Sequence, residues 1–257
     1  MEAILNVENV SVQFGVQSED QWVLRDISFS VRRGEMLAII GESGCGKTVL
    51  LKTLIGLHNQ ASGTILFDGI ELKTLTYFEL AKVRTRWGFV FQHAALFDSM
   101  TIGDNIAFPL VQHTKKPKKE ILDIVLTLIE EVGLDHTVLN KKPAELSGGM
   151  RKRAGIARAL ALEPELILYD EPTTGLDPVM SSLINELMVE VRRQHNVTGI
   201  MVTHDLRSAR TVADRIIMLA PLAKLEANEP QIVFDGTPRE LYSSPNLRVR
   251  RFIKAAG

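Results

Sequence analysis

Gly41-Glu42-Ser43-Gly44-Cys45-Gly46-Lys47-Thr48 is the stretch from which the fold is read. It matches G-x-x-x-x-G-K-[ST], which ordinary residue usage would produce in about one chain in a hundred of this length. Directly before it, Met36-Leu37-Ala38-Ile39-Ile40 is an unbroken apolar run, the pattern of a short strand buried on both faces. After it, VLLKTLIGL (49–57) spaces its apolar residues as a helix does. Strand, glycine loop and helix in that order make an anion cradle. Glycines let successive backbone N–H groups turn inward, and the helix adds its free N–H groups and the positive end of its dipole. In such a loop Lys47 reaches the β- and γ-phosphates of a nucleotide, and Thr48 offers a hydroxyl to Mg2+. Gly41, Glu42, Ser43, Gly44, Cys45, Gly46, Lys47, Thr48 and Val49 are therefore the expected nucleotide-binding run. Cys45 reads as a passive small side chain, because no catalytic partner for a thiol is suggested nearby.

Outward from the loop, strand-like and helix-like stretches alternate. ILNVENVSVQF (4–14) and WVLRDISFSV (22–31) have the period-two pattern of half-exposed antiparallel strands. ELILYD (165–170) and NVTGIMVT (196–203) read as further buried strands, each followed by a helix. Asp177 is a candidate N-cap with Pro178 in the first turn. QIVFD (231–235) is a last strand, and Thr237 to Lys254 a helical end. Ile102 to Leu162 carries no strand pattern, and ILDIVLTLIEEVGL (121–134) is an amphipathic helix. The expected architecture is α/β, one domain with a helical insertion over about 93–159. About 1–92 and 160–220 would form the core and an antiparallel β subdomain, and about 221–257 a C-terminal strand and tail. KKPKK (115–119) and Arg248, Arg250 and Arg251 read as solvated surface.

Composition narrows the function classes. The chain has 257 residues, 45% hydrophobic and 24% charged, with Lys+Arg 30 against Asp+Glu 31. That balance argues against a strongly basic nucleic-acid binder and against a disordered chain. A single cysteine excludes an intrachain disulfide framework and a Cys-rich zinc site. The first residues lack a signal-peptide pattern, and no apolar run reaches the roughly 18 residues that cross a bilayer. The expectation is a cytoplasmic, soluble protein.

Two further motifs carry chemistry. LILYDE (166–171) is an apolar strand ending in two acids; beside a phosphate loop the first, Asp170, suits Mg2+. The second, Glu171, is placed to orient or deprotonate a water attacking the γ-phosphate. ELSGGM (145–150) precedes an Arg/Ala-rich helix, so Ser147, Gly148 and Gly149 form another set of exposed N–H groups suited to phosphate. One chain thus has two anion cradles. Either it binds two nucleotides, or the second cradle serves a neighbouring chain.

Over practically its full length the sequence resembles an ATP-binding-cassette (ABC) ATPase. The matching residues, in the family's order, are GESGCGKT (41–48), Gln92 in FVFQ, LSGGM (146–150), LILYDE (166–171), TGLD (174–177) and His204 in VTHD. The resemblance implies a P-loop cassette with a RecA-like core, an antiparallel β subdomain and a helical subdomain. It implies ATP and Mg2+ as ligands and a head-to-tail homodimer in which Ser147, Gly148 and Gly149 of one subunit meet the phosphate loop of the other. Gln92 would touch Mg2+ and the attacking water, His204 the γ-phosphate and Glu171, and Asp177 would work across the interface. Phe14 in VQFG (12–15) would stack on adenine, or else make a hydrophobic contact on the sheet.

Met150 ending the signature, and FQHAALFDSMTIGDNIAFPL (91–110), are similar to Mla-type ATPases. That resemblance implies phospholipid transport with a permease and an MCE-domain partner, and a place on the cytoplasmic face of the inner membrane, reached through the permease. A permease helix would dock near Gln92 to Phe97; the alternative is that Leu96 and Phe97 pack the subdomain core. Two other readings remain open. One is the ATPase of an amino-acid or lipoprotein transporter, the other a soluble ABC ATPase acting on DNA or ribosomes. The near-zero net charge and the lack of a duplicated cassette count against the second.

Overall fold

The computed structural model describes residues 2–14 and 22–256. In chain order the elements are β1 (Ala3–Gln13), β2 (Trp22–Arg32), β3 (Met36–Gly41), α1 (Lys47–Leu54), β4 (Ser62–Phe67), β5 (Ile70–Glu71), α2 (Tyr77–Arg84), β6 (Trp87–Val90), α3 (Ile102–His113) and α4 (Lys118–Glu131). Then follow α5 (Gly148–Leu160), β7 (Leu166–Asp170), α6 (Pro178–His195), β8 (Thr198–Thr203), α7 (Leu206–Val212), β9 (Arg215–Leu219), β10 (Ile232–Gly236), α8 (Pro238–Tyr242) and α9 (Leu247–Ala256). They gather into two units, Met1–Leu80 with Thr198–Gly257, and Ala81–Val197.

In the first unit β3 is the interior strand, and every residue of it is buried. It pairs in parallel with β8 and β9, so that Ile40 lies opposite Thr203 on one side and Met218 on the other. An uninterrupted apolar strand is what a position flanked on both edges demands. β10 adds antiparallel to β9. Arg215 on β9 reaches β10 and β2: its guanidinium donates to Asp235 at 2.5 and 2.6 Å and to the Ser30 carbonyl at 2.9 Å. A separate antiparallel sheet has the order β2-β1-β4-β5. The period-two expectation holds on β2, where Leu24, Ile27, Phe29 and Val31 are buried, with an offset at Asp26. On β1 it breaks, since Val10, Ser11 and Val12 are buried in succession. The cause is bulging: Asn9 and Asp26 have φ of 50° and 49°, and the β1–β2 register shifts between Val7 and Val10. Hydroxyls satisfy the displaced backbone, Ser28 accepting from the Asn9 N–H at 2.8 Å and Ser11 from the Asp26 N–H at 3.0 Å.

In the second unit β6 and β7 pair in parallel, from Trp87 opposite Leu166 to Val90 opposite Tyr169. Among the described residues no strand lies between Ile102 and Leu162. α4 starts at Lys118 after Pro117, so the basic run straddles a helix start, and it buries Ile121, Val125, Leu128 and Ile129 on one stripe. It stops at Glu131, short of the patterned stretch, because Gly133 turns the chain with φ 66°. Asp177 caps α6, its carboxylate accepting from the Val179 and Met180 N–H groups at 2.9 Å, with Pro178 as first helical residue. At the other end Asn196 closes the helix with φ 51°. The C-terminal tail resolves into α8 and α9, separated around Pro245.

Ile39 on β3 has zero exposure, and Ile39→Ala should lower the free energy of unfolding by about 2–5 kcal/mol. Urea titration of the purified protein would measure it.

Candidate nucleotide site

The phosphate loop leaves the C-terminal end of β3 and enters α1. Its shape depends on glycine at two positions. Gly41 has φ 152° and a Cβ there would lie 2.4 Å from the Leu219 carbonyl oxygen; at Gly46, with φ 97°, it would lie 2.7 Å from Leu24 Cδ2. The tip, Ser43 and Gly44, is exposed, whereas Thr48 and Val49 on α1 are half-buried. Lys47 is buried, and its Nζ donates to the carbonyls of Gly41 at 2.8 Å and Glu42 at 3.1 Å. The ammonium is therefore held within the loop, at the centre of the N–H groups that would face a phosphate.

Gln231, 2% exposed, braces the loop from beneath: its amide donates to the carbonyls of Cys45 and Val23 at 3.1 Å, and its oxygen accepts from the Arg25 N–H at 2.8 Å. Nothing in a lone glutamine before a strand distinguishes it in the sequence. Cys45 is buried with its Sγ 3.9 Å from Lys47 Nζ, and burial pushes its thiol pKa up, with Lys47 opposing.

His204 follows Thr203, whose register with Ile40 makes Gly41 and His204 the next residues of neighbouring strands. His204 is exposed. Together with Gly41, Glu42 and Ser43 it lines a cavity of about 610 Å3, to which Lys224 and Arg251 also contribute. Lys224 forms an ion pair with Glu42. Arg251 reads as solvated surface in the sequence; the packing of α9 brings it, and the segment after β9 brings Lys224, beside the phosphate loop. Phe14, at the end of β1, is 39% exposed and meets His58 edge-to-face with ring centroids 5.1 Å apart. Gly15, the last residue of VQFG, lies outside the described residues.

The second unit holds the remaining motif residues. Because Val90 pairs with Tyr169, Gln92 and Glu171 each stand two residues past one β6–β7 rung. Asp170 and Glu171 are 6% and 9% exposed. Glu171 has φ 48°, which turns its backbone away from the strand, and its carboxylate accepts from the Thr174 hydroxyl at 3.0 Å. Gln92 is half-buried. Ser147 caps α5, accepting from the Met150 N–H at 3.3 Å, so Gly148 opens the helix with its N–H groups directed outward. Ser147 and Asp177 are exposed, Gly148 is half-buried and Gly149 is buried against Met180.

Beside Gln92 the chain makes a strained double turn. Ala94 and Ala95 have φ of 59° and 46°, and the Arg158 guanidinium holds them by donating to both carbonyls at 2.8 Å. Phe97 does not pack inside the subdomain. It is 42% exposed, meets Phe108 with ring centroids 4.9 Å apart and planes tilted by 55°, and lines a groove of about 400 Å3 with Phe89, Phe91 and Ala95.

The donor set suits a nucleoside triphosphate: a glycine loop with outward room at its tip, a lysine at its centre and a helix start beyond. Comparison with known proteins agrees. The ABC transporter family matches residues 24–174. The probable ribonucleotide transport ATP-binding protein mkl of Mycobacterium leprae is 41% identical over 98% of this chain and 69% of its own length. The intermembrane phospholipid transport system ATP-binding protein MlaF of Haemophilus influenzae is 38% identical over 98% of this chain and 90% of its own. Among solved structures, the ATP-binding cassette MJ0796, a dimer in a post-hydrolysis state bound to ADP and Pi, superposes with a TM-score of 0.81 at 30% identity, covering 91% of this chain and 99% of that one. A phosphate loop built on an interior strand, the signature turn capping α5 and the family match lead to one conclusion: this chain belongs to the ABC transporter family, as an ATP-binding cassette that hydrolyses ATP.

Proposed function

We propose that this cassette drives phospholipid transport through a membrane permease with an MCE-domain partner, as a homodimer that closes on two molecules of ATP. The observation that carries the mechanism is the pair of anion cradles, one at the start of α1 and one at the start of α5, carried by a single chain. In a head-to-tail dimer each phosphate loop meets Ser147, Gly148 and Gly149 of the other copy, and neither cradle is left over. Gly41 to Val49 grip the triphosphate through backbone N–H groups, and Lys47 swings from the loop carbonyls to the β- and γ-phosphates. Phe14 stacks on adenine. Thr48, Gln92 and Asp170 offer oxygen ligands of the kind Mg2+ prefers, partly through water, and the ion would neutralise phosphate charge.

Hydrolysis follows from charge and placement. Glu171 orients the attacking water and accepts its proton as the oxygen approaches phosphorus. Lys47 offsets the negative charge spread over the γ-phosphate oxygens, and His204 donates to one of them while holding Glu171 in place. Asp177 works across the interface. Loss of the γ-phosphate removes the bridge between the two copies, and the dimer opens.

Among the described residues no helix is long and apolar enough to cross a membrane. Membrane attachment is thus assigned to the permease, at the cytoplasmic face of the inner membrane. The groove beside Gln92, with half-exposed Phe97, suits the apolar face of a coupling helix. The name of the mycobacterial relative supplies a second reading, ribonucleotide transport. The test is to purify tagged Glu171→Gln protein from native membranes with Mg-ATP and identify what accompanies it by mass spectrometry. A permease with an MCE-domain protein and phospholipid is the expected result. A nucleotide-binding permease, an amino-acid permease, or DNA or ribosomes in place of any membrane partner would replace the proposed cargo.

A further inference from the structure

Lys152 stands in the middle of Arg151-Lys152-Arg153, three basic residues in the first turns of α5. Its side chain is buried, with 5% exposure. The Nζ donates to the Gln92 carbonyl and, at 3.2 Å, to the Glu171 carbonyl. These two carbonyls belong to residues that leave the ends of paired strands, two positions past the rung that joins Val90 to Tyr169. Beyond that rung Glu171 turns into the left-handed region and Ala94 and Ala95 do the same, so the β6–β7 ladder does not continue. The ammonium of Lys152 bonds both carbonyls where the ladder ends.

The same face of α5 grips the turn after Gln92 at two further points. Gly155 lies against Ala94, where an added Cβ would come to 3.3 Å of the alanine methyl, and Arg158 donates to the carbonyls of Ala94 and Ala95. Residues 152, 155 and 158 recur every three positions along the helix whose first turn is the signature loop. We propose that Lys152 is a positioning residue for ATP hydrolysis: it sets the spacing of Gln92 and Glu171 and fixes both to the helix that begins at Ser147. Movement of α5 when the signature loop meets ATP then reaches the water-handling residues through one side chain. The inference rests on the assignment of Gln92 and Glu171 made above.

The experiment is steady-state hydrolysis and ATP binding for full-length Lys152→Met, Lys152→Gln and Glu171→Gln, and for the double variant Lys152→Met/Glu171→Gln. Displacing a reacting group by about 1 Å costs on the order of a hundredfold in rate, so kcat of Lys152→Met should fall by about that factor with ATP affinity unchanged. Lys152→Gln keeps an amide donor and should fall less. It also carries the test if the methionine variant fails to fold. The double variant should be slowed by less than the product of the two single effects, because both changes act on one step. Wild-type kcat in a folded Lys152 variant, a loss confined to ATP affinity, or a double variant slowed by the full product of the two single effects would overturn the role of Lys152. Normal turnover by Glu171→Gln would instead overturn the site assignment beneath it.

Discussion

Glu171→Gln should bind ATP with wild-type affinity, hydrolyse it on the order of a thousandfold more slowly, and accumulate as a closed dimer. The amide is nearly isosteric and retains an oxygen to accept from Thr174, which bonds the carboxylate at 3.0 Å, so the turn after β7 should persist. What is lost is the acceptor for the proton of the attacking water. With the γ-phosphate retained, the contacts that join the two copies remain, and size-exclusion chromatography with Mg-ATP should show a dimer that the wild type forms only transiently. A monomer under those conditions, or undiminished turnover, would remove Glu171 from its assigned place.

Lys47→Ala should lose ATP affinity by about tenfold to a hundredfold, the worth of one charge-assisted hydrogen bond to phosphate. The substitution also leaves the Gly41 and Glu42 carbonyls without the donor they have at 2.8 and 3.1 Å. α1 should nevertheless survive, since alanine is a good helix former and Lys47 is its first residue. Far-UV circular dichroism unchanged beside a reduced titration of a fluorescent ATP analogue is the expected pair of results. Unchanged ATP binding would contradict the phosphate-loop reading itself.

The parts legible in the sequence were those in which local chemistry and tertiary position ask for the same residue. β3 is apolar throughout because it is flanked on both edges, and Asp177 and Pro178 cap α6 because they begin it. Gly41 and Gly46 were readable because no other residue tolerates their backbone and neighbours. Period-two reasoning failed on β1 where Asn9 adopts φ 50°, a bulge whose supporting hydroxyl, Ser28, lies on another strand. Lys152, Gln231 and Arg251 were invisible for the same reason: their meaning comes from carbonyls or walls supplied by distant segments. A lysine in RKR and a glutamine before a strand look alike in sequence whether solvated or buried.

In the proposed dimer one copy's phosphate loop and another copy's signature loop complete each ATP site. The most direct test pairs two disabled chains, Lys47→Ala and Gly148→Asp. The second is compatible with the fold, because a Cβ at Gly148 meets Leu176 Cδ2 at 3.4 Å and an acid suits the first turn of a helix. Yet it sets a negative charge where the other copy's γ-phosphate would rest. At an ATP concentration that saturates the wild type but not Lys47→Ala, neither variant alone should show appreciable hydrolysis. In the mixture, the intact phosphate loop of Gly148→Asp meets the intact signature loop of Lys47→Ala, and ATP hydrolysis should reappear. Activity in either parent alone, or a mixture as inactive as its parents, would contradict the two-chain site.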